Sequence, residues 1–498
     1  MTNKKRSYEN SFADLISIER LKMTSVKKRE PSDEFLSDKG RVITSSALRR
    51  LQAKAQVFSL EENAAVRTRL THSYEVSSLG EIIASKVFQK LKKQSLIASD
   101  MEVSFITAVE TACLLHDIGN PPFGHFGEFA IRAWLKREEE KLKAPVPTKQ
   151  LKEWTRHFDG LSRFDGNSQG FRILTRLQWH KNQYGLNLTC TQLGACIKYP
   201  FSVPPPEKSK IGFFEVDKST FERICEKLKY SKSAMKHPLS YIMEAADDIA
   251  YCLSDIEDGI EKGIVTPMMF FKEIDSFFGK TQKSIEDKKI STINLREAKK
   301  TIRSLRVQLL KDAHQLTETN RERREEASFI EFKIRVTRWL VDQAAELYMK
   351  NLKAILDGSN DLSLFDGSVG GCILQAFKSF AKRNLFRSKH AYDIELSGYG
   401  VVTGLLSAFL PILTLEAAEF EDLINDITKY GDFEFQKRLV WMLPRKHVLA
   451  YKYAVSENEA PEHILRMHLI LDYISGMTDT HALKVFQLFG GIKIAVRA

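Results

Sequence analysis

The chain is poor in the patterns that mark several large classes of protein. Its 498 residues include six cysteines (Cys113, Cys190, Cys196, Cys225, Cys252 and Cys372). No two of them form a CxxC pair, which argues against a disulfide framework or a zinc ribbon and reads as reduced thiols. Glycine-rich phosphate loops are missing: there is no GxGxxG or GxSxG, and the GKT at 279–281 has Ile274 where a P-loop needs glycine. Alternating polar and apolar runs are scarce, and no internal repeat is present. The opening MTNKKRSYEN has no apolar h-region, so no secretory signal is expected. One charge-free run, residues 397–415, approaches membrane-spanning length. It contains Gly398, Gly400, Gly404, Ser407 and Pro411, and is expected to be a buried turn followed by a core helix. A soluble, cytoplasmic protein with no membrane partner is predicted.

What is there is the composition of a protein with a sizeable core: 43% hydrophobic, 10% aromatic and 28% charged residues. Lys+Arg 75 against Asp+Glu 64 gives a net charge of +11, which permits a polyanionic partner without requiring one. Residues 1–40 are polar and charge-rich and are expected to form a loosely held arm. A catalytic core is expected over 41–270 and a helical C-terminal region over 271–498. In SYEVSSLGEIIASKVFQKL, Val76, Leu79, Ile82, Ile83 and Val87 recur at helical spacing, with Thr71 or Ser73 as the cap. VSFITAVETACLLHDIGNPP carries an apolar helix that must end by Pro121 and Pro122. Further helices are predicted over 126–141, 236–262, 295–356, 371–385, 415–430, 434–454, 461–474 and 479–489. Residues 201–215 read as a proline-rich loop or small hairpin. The fold class is all-α.

Chemistry concentrates around one dipeptide. His116–Asp117 is the only His-Asp pair among twelve histidines. Alone it would read as a helix C-terminus, with histidine near the negative end of the dipole. Its neighbours change that reading. His72 opens another helix, and EAADDIAY sets Asp247 and Asp248 inside an otherwise apolar one, where unpaired charge is costly. Two imidazoles and two carboxylates suit Mn²⁺, Mg²⁺, Fe²⁺, Co²⁺ or Ni²⁺ better than a thiolate-loving ion. Between these segments GNPPFGHFGE supplies His125 and Glu128 at i and i+3, close enough for the carboxylate to orient the imidazole. Asp247, Tyr251 and Asp255 fall at i, i+4 and i+8 on one helix face.

The segments LQAKAQVF, RTRLTHSYEV, LLHDIGNPPFGHFGE, FDGNSQGFRIL, IKYP, MEAADDIAYCLSDIEDG and DYISGMTD together resemble the bacterial dGTPase branch of the HD-domain deoxynucleoside triphosphate triphosphohydrolases. The resemblance runs from about Ser45 to about Gln487. Many HD phosphodiesterases carry a second histidine three residues beyond the HD aspartate; Asn120 stands there, which argues against a two-metal cyclic-dinucleotide enzyme. The resemblance implies an HD-type helical fold, with His72, His116, Asp117 and Asp247 as metal ligands. It also implies His125, with Glu128, in the attack on phosphorus.

By the same resemblance Arg69 clamps the α-phosphate and Lys198 and Tyr199 contact phosphates. Asn167 and Gln169 position the site, Gln56 reaches the 3′-hydroxyl and Val57 packs near C2′. Tyr251 and Asp255 continue toward the sugar. The implied reaction is hydrolysis of dGTP at the α-phosphorus to deoxyguanosine and tripolyphosphate, by a homo-oligomer (hexamer or tetramer). The nearest alternative is a broad-specificity dNTP triphosphohydrolase. A second is a single-stranded-DNA-binding protein with a regulatory nucleotide site, motivated by the N-terminal arm and the basic stretches around 299–325.

Overall fold

The structure is a computed structural model that describes residues 12–22, 29–61, 63–179, 183–206, 208–230, 235–279, 292–313, 321–387, 389–427 and 433–492. Among these residues the chain is helix and loop throughout, as the sequence predicts, with two isolated backbone bridges and no strand. The proline-rich segment therefore holds no hairpin. Pro204, Pro205 and Pro206 have no N–H to give a ladder.

The N-terminal stretch is not the loose arm expected. Residues 1–11 and 23–28 lie outside the described residues. Phe12, Leu15 and Ile16, however, are buried in the main core, and helix α1 (Pro31–Ile43) packs beside them with Phe35 fully buried. Arg20 pairs with Glu34 and Asp38, each at 2.6 Å, and all three are buried. Charges that read as a solvated arm are an internal ion cluster.

Three helices build the centre. α2 (Arg69–Lys93) starts at Thr68, which caps it in a reciprocal pair with Thr71, one turn before the caps the sequence suggested. Its buried stripe is Val76, Gly80, Ile83, Ala84, Val87 and Leu91, while Ile82 is 45% exposed, so the stripe is rotated from the predicted one. α3 (Glu102–Leu115) is apolar on nearly every side and packs along α2. α6 (Pro238–Glu261) begins with proline at its first position, where the missing N–H costs nothing. It lays Ile242, Ala246, Ile249 and Leu253 against the other two. Each fully buried branched or aromatic side chain contributes roughly 1.5–3 kcal/mol to this packing.

Between α3 and α6 run α4 (Gly124–Lys143) and the short α5 (Gly166–Arg172). After α6 come α7 (Pro267–Gly279), α8 (Thr292–Ala313) and α9 (Arg321–Leu356), the last two lying along the helical stretch expected over 295–356, of which 314–320 fall outside the described residues. α10 (Val369–Asn384) and α11 (Lys389–Leu413) follow. The expected helix over 434–454 is two, Glu434–Trp441 and Arg445–Ser456, separated at Pro444. α12 (Glu462–Ser475) and α13 (Asp479–Phe489) complete the order.

Within α11, Tyr392–Leu413 is long and apolar enough to cross a membrane, and half of that window is buried. It runs as one helix through Pro411 rather than as a turn and a helix. Val402, Leu405 and Phe409 pack with Ile131, Trp134 and Leu135 of α4, and Trp134 Nε1 donates to Ser407 Oγ at 2.9 Å. Both large cores cross residue 270: one joins α2, α3 and α6 to α7–α10, the other joins α4 to α11–α13. The cavity described next is consequently walled from both halves of the chain.

Candidate active site

Each central helix brings one part of a polar cluster. His72 lies in the first turn of α2, His116 and Asp117 follow the end of α3, and Asp247 sits midway along α6. The ligand atoms of His72, His116 and Asp117 fall within 4.8 Å of one another. Asp247 Oδ1 is 3.4 Å from Nε2 of both histidines. His116 Nδ1 donates to the Cys113 carbonyl at 2.7 Å, which fixes the tautomer and turns Nε2 toward the cluster. That Nε2 and both ring nitrogens of His72 are buried without a hydrogen-bond partner.

The charge states suit metal ligation. Burial lowers the His116 pKa, keeping the imidazole neutral against the pull of Asp117 and Asp247. Burial raises Asp117, but His116 and Arg69 outweigh it and hold the carboxyl below its usual range. Burial likewise raises Asp247, and Lys198, His116 and His72 more than offset it. A neutral His116, bare buried nitrogens on both imidazoles and ionised carboxylates make a donor set that fits a divalent cation.

The cluster opens into a cavity of about 580 Å³, within the range of small-ligand pockets. On its wall His125 Nδ1 donates to Glu128 Oε2 at 3.0 Å, and Glu128 Oε1 accepts from Gly166 N at 2.7 Å. Burial raises Glu128, yet the hydrogen bond and charge of His125 and the Gly166 N–H leave it below its ordinary value. The buried, ionised Glu128 thus holds an imidazole whose side chain is 71% exposed. Two backbone features aim this wall. Phe123 takes φ +61 and Gly124 φ +56 at the entry to α4, and a Cβ at Gly124 would lie 2.6 Å from Arg69 Nη2. A Cβ at Gly119 would meet Gly166 O at 2.0 Å and Gly170 N at 2.1 Å, so the turn after His116–Asp117 touches α5 backbone to backbone.

The structure brings most of the remaining predicted residues to this cavity. Gln56 and Val57 form one side, and Asn167, Tyr199 and Tyr251 line others. Arg69 Nη1 pairs with Asp117 Oδ2, and Lys198 Nζ donates to Asp247 Oδ2 at 2.7 Å, so both cations face the cavity from the rim of the cluster. Asp165 takes the Asn167 amide at 2.6 Å. Gln169 is buried behind the wall and donates to Asp472 at 2.9 Å. Asp255 is fully buried below Tyr251 rather than on the wall, and neither carboxyl oxygen has a hydrogen-bond partner. Burial and the nearby Asp258 raise its pKa well above the carboxylate range. Asp248 turns away to accept from Lys378 of α10 at 2.7 Å.

The wall residues missed in the sequence include Lys210, Lys378, Phe386 and Glu395. Lys210 and Phe386 lie outside helices and Lys378 and Glu395 lie on α10 and α11, none with a spacing to mark it. The Phe386 and Tyr251 rings lie nearly parallel, 6.3 Å apart and 26° between planes.

A helical fold that carries His, His-Asp and Asp on three helices facing one cavity defines an HD-domain protein, and the HD-domain family profile matches residues 69–159. The likeness extends much further than that profile. Over 490 residues the chain is 36% identical to a deoxyguanosinetriphosphate triphosphohydrolase of Enterobacter sp. (strain 638), and over 489 residues 35% identical to that of Klebsiella pneumoniae (strain 342). Identity to that of Yersinia pseudotuberculosis serotype O:3 (strain YPIII) is 34% over 490 residues. Each match covers 90% of this chain and 92% of the relative. The chain belongs to the deoxyguanosinetriphosphate triphosphohydrolase family of HD-domain hydrolases.

Proposed function

We propose that the chain hydrolyses dGTP at the α-phosphorus, releasing deoxyguanosine and inorganic tripolyphosphate. The observation that carries this reading is one cavity joining the His₂Asp₂ cluster, the His125–Glu128 pair, four cations (Arg69, Lys198, Lys210 and Lys378) and an aromatic platform. His72, His116, Asp117 and Asp247 would hold a divalent ion, Mn²⁺ or Mg²⁺ in first place, with Fe²⁺, Co²⁺ and Ni²⁺ also suited to these donors. When bound, that ion supplies Lewis acidity to an α-phosphate oxygen. His125, its Nδ1–H given to Glu128, presents Nε2 as the base that takes the proton of the attacking water. Arg69, Lys198 and Lys210 offset phosphate charge as it develops.

The far wall supports a preference for guanine. Phe386 and Tyr251 offer flat apolar surface to a base, and the Glu395 carboxylate can accept two adjacent N–H donors. Of the four bases guanine alone presents such a pair, N1–H and the 2-amino group. Val57 beside Gln56 leaves little room for a 2′-hydroxyl. The resemblance extends the proposal to a homo-oligomer, and the reading of the six cysteines as reduced thiols extends it to a cytoplasmic location. The single-stranded-DNA reading has less support: Lys300 and Arg306 are paired with Glu297 and Asp275, each at 2.8 Å, and the side chains of 307–324 lie outside the described residues.

The test is phosphorus NMR with nucleoside chromatography on the four dNTPs and GTP at equal concentration, with Mn²⁺ or Mg²⁺. Deoxyguanosine plus tripolyphosphate, with dGTP fastest, is expected. Orthophosphate or pyrophosphate as first product would overturn the reaction. Equal turnover of all four dNTPs would replace dGTP specificity with the broad alternative, and rapid GTP hydrolysis would remove the deoxyribose requirement.

A further inference from the structure

The segment DYISGMTD, at the junction of α12 and α13, has no part in the reaction as proposed, yet its last aspartate reaches the cavity walls. Asp479 is buried. Its Oδ1 accepts from Phe123 N at 3.0 Å and its Oδ2 from Ala55 N at 3.1 Å. These bonds run from one carboxylate to the backbones of two segments far apart in sequence. Hydrogen bonds to an ionised acceptor are among the stronger ones. Phe123 is the residue at positive φ that opens α4 two positions before His125, and Ala55 immediately precedes Gln56 and Val57. A phenylalanine held at positive φ is strained and persists only where its surroundings fix it.

Lys54 completes the connection as a donor. It is buried, and its Nζ donates to the carbonyls of Asn120 and, at 2.9 Å, Ser475 at the end of α12. Its own carbonyl accepts from Arg69 N at 3.0 Å. Two buried side chains thus bind four backbone groups: Ala55, Phe123, Asn120 and Ser475. Ala55, Asn120 and Phe123 all line the cavity.

We infer that Asp479, with Lys54, is a positioning clamp through which the C-terminal helices hold the Gln56 side and the His125 side of the cavity in register. The inference rests on the function proposed above. The Asp479 bonds themselves fall on wall residues, Ala55 and Phe123, and on none of the candidate metal ligands. Loss of Asp479 should therefore impair turnover and leave the cation site intact, a separation that general destabilisation would not produce.

The experiment compares the full chain with Asp479→Ala and Asp479→Asn, the latter keeping size and one acceptor. Three readings are taken: dGTP turnover, titration with Mn²⁺ alone, and amide hydrogen exchange. The clamp predicts a turnover loss of about 10- to 100-fold for Asp479→Ala, the range for residues that orient a site from behind, with a smaller loss for Asp479→Asn. It predicts Mn²⁺ affinity within about twofold of wild type, since no ligand is touched. Exchange should quicken at residues 54–57 and 120–128 and stay unchanged along α2 and α3. Unchanged turnover and exchange would overturn it, as would a fall in Mn²⁺ affinity in step with activity. If Asp479→Ala fails to fold, Asp479→Asn decides by the same criteria. A wild-type chain inactive on every dNTP would sink the proposed function, and exchange and Mn²⁺ titration would still decide the clamp.

Discussion

Two of the buried charge clusters among the described residues are satisfied in opposite ways. In the first, His116, Asp117 and Asp247 line a cavity with His72 buried beside them, and three imidazole nitrogens have no hydrogen-bond partner. In the second, Arg172 gives Nε to both oxygens of Asp472 at 2.9 Å and lies 3.5 Å from Asp217. Arg176 donates to the same Asp217 at 2.5 Å and pairs with Glu459. There the polar atoms close on one another, with only Asp217 Oδ2 and Gln169 Oε1 left over. Burial and shifted pKa values occur in both, so neither marks a reactive centre. The discriminating observation is bare donor atoms turned toward a cavity. The closed cluster joins α5 to α12; the open one is arranged to receive something.

That contrast can be broken by substitution, and the largest effect belongs to the open cluster. Asp117→Asn keeps the size and an acceptor for Arg69 but weakens the donor set. Turnover of dGTP should fall by about 10⁴-fold, equivalent to about 5.4 kcal/mol, while unfolding free energy moves by no more than about 1 kcal/mol. A variant that keeps its rate would show that the cluster is structural. The closed cluster should behave in reverse. Asp472→Ala leaves Arg172 buried with only its longer 3.5 Å pairing to Asp217 and should destabilise the chain by about 3–5 kcal/mol, as read by denaturant unfolding. A loss of less than 1 kcal/mol would mean that water reaches Arg172.

Two smaller effects sharpen the comparison. Glu128→Gln can accept from only one of His125 and Gly166 at a time, so kcat should drop about 10- to 100-fold with KM little changed. A change in KM alone would make Glu128 a binding group. The smallest effect concerns Lys54, whose pKa burial lowers to about 7, with Arg50 and Arg69 acting in the same sense and Asp479 and Asp117 opposing. Between that value and 10.5 the folded chain binds fewer protons here than the unfolded one. Its stability should therefore rise with pH by at most about 1.4 kcal/mol per unit. Lys54→Met removes this slope, so wild type should gain on the variant between pH 7 and 9 in matched unfolding experiments. An equal difference at both pH values would show that Lys54 does not titrate in that window.

How much of this was legible in the sequence depended on whether the signal was local. His72, His116, Asp117, His125 and Glu128 announce themselves because each sits in a short motif with a helix boundary beside it. Asp247 does so because a carboxylate inside an apolar helix is conspicuous. Phe386 and Glu395 gave no such sign, since only the folding of α10 and α11 over the HD core brings them to the cavity. The N-terminal stretch misled for a related reason. Arg20, Glu34 and Asp38 look like solvent-facing charge until their mutual pairing is seen. Pro444 was visible as a helix break and went unused, whereas Pro411 suggested a break that α11 does not make. Asp255 sits on the predicted face of α6, but periodicity gives direction and not depth, and depth put it below the wall.

The contact between Gly119 and α5 carries a different kind of consequence. No chemistry passes through that glycine, and it binds nothing by a side chain. Yet a single methyl there would overlap Gly166 O and Gly170 N, prising the turn after Asp117 away from the helix that supplies Gly166 N to Glu128. The position therefore admits a one-letter alphabet. In a saturation library screened for turnover it should look as intolerant as a metal ligand, and changing the supplied cation should rescue no variant there. What it contributes is closeness alone, a lock made by the omission of an atom.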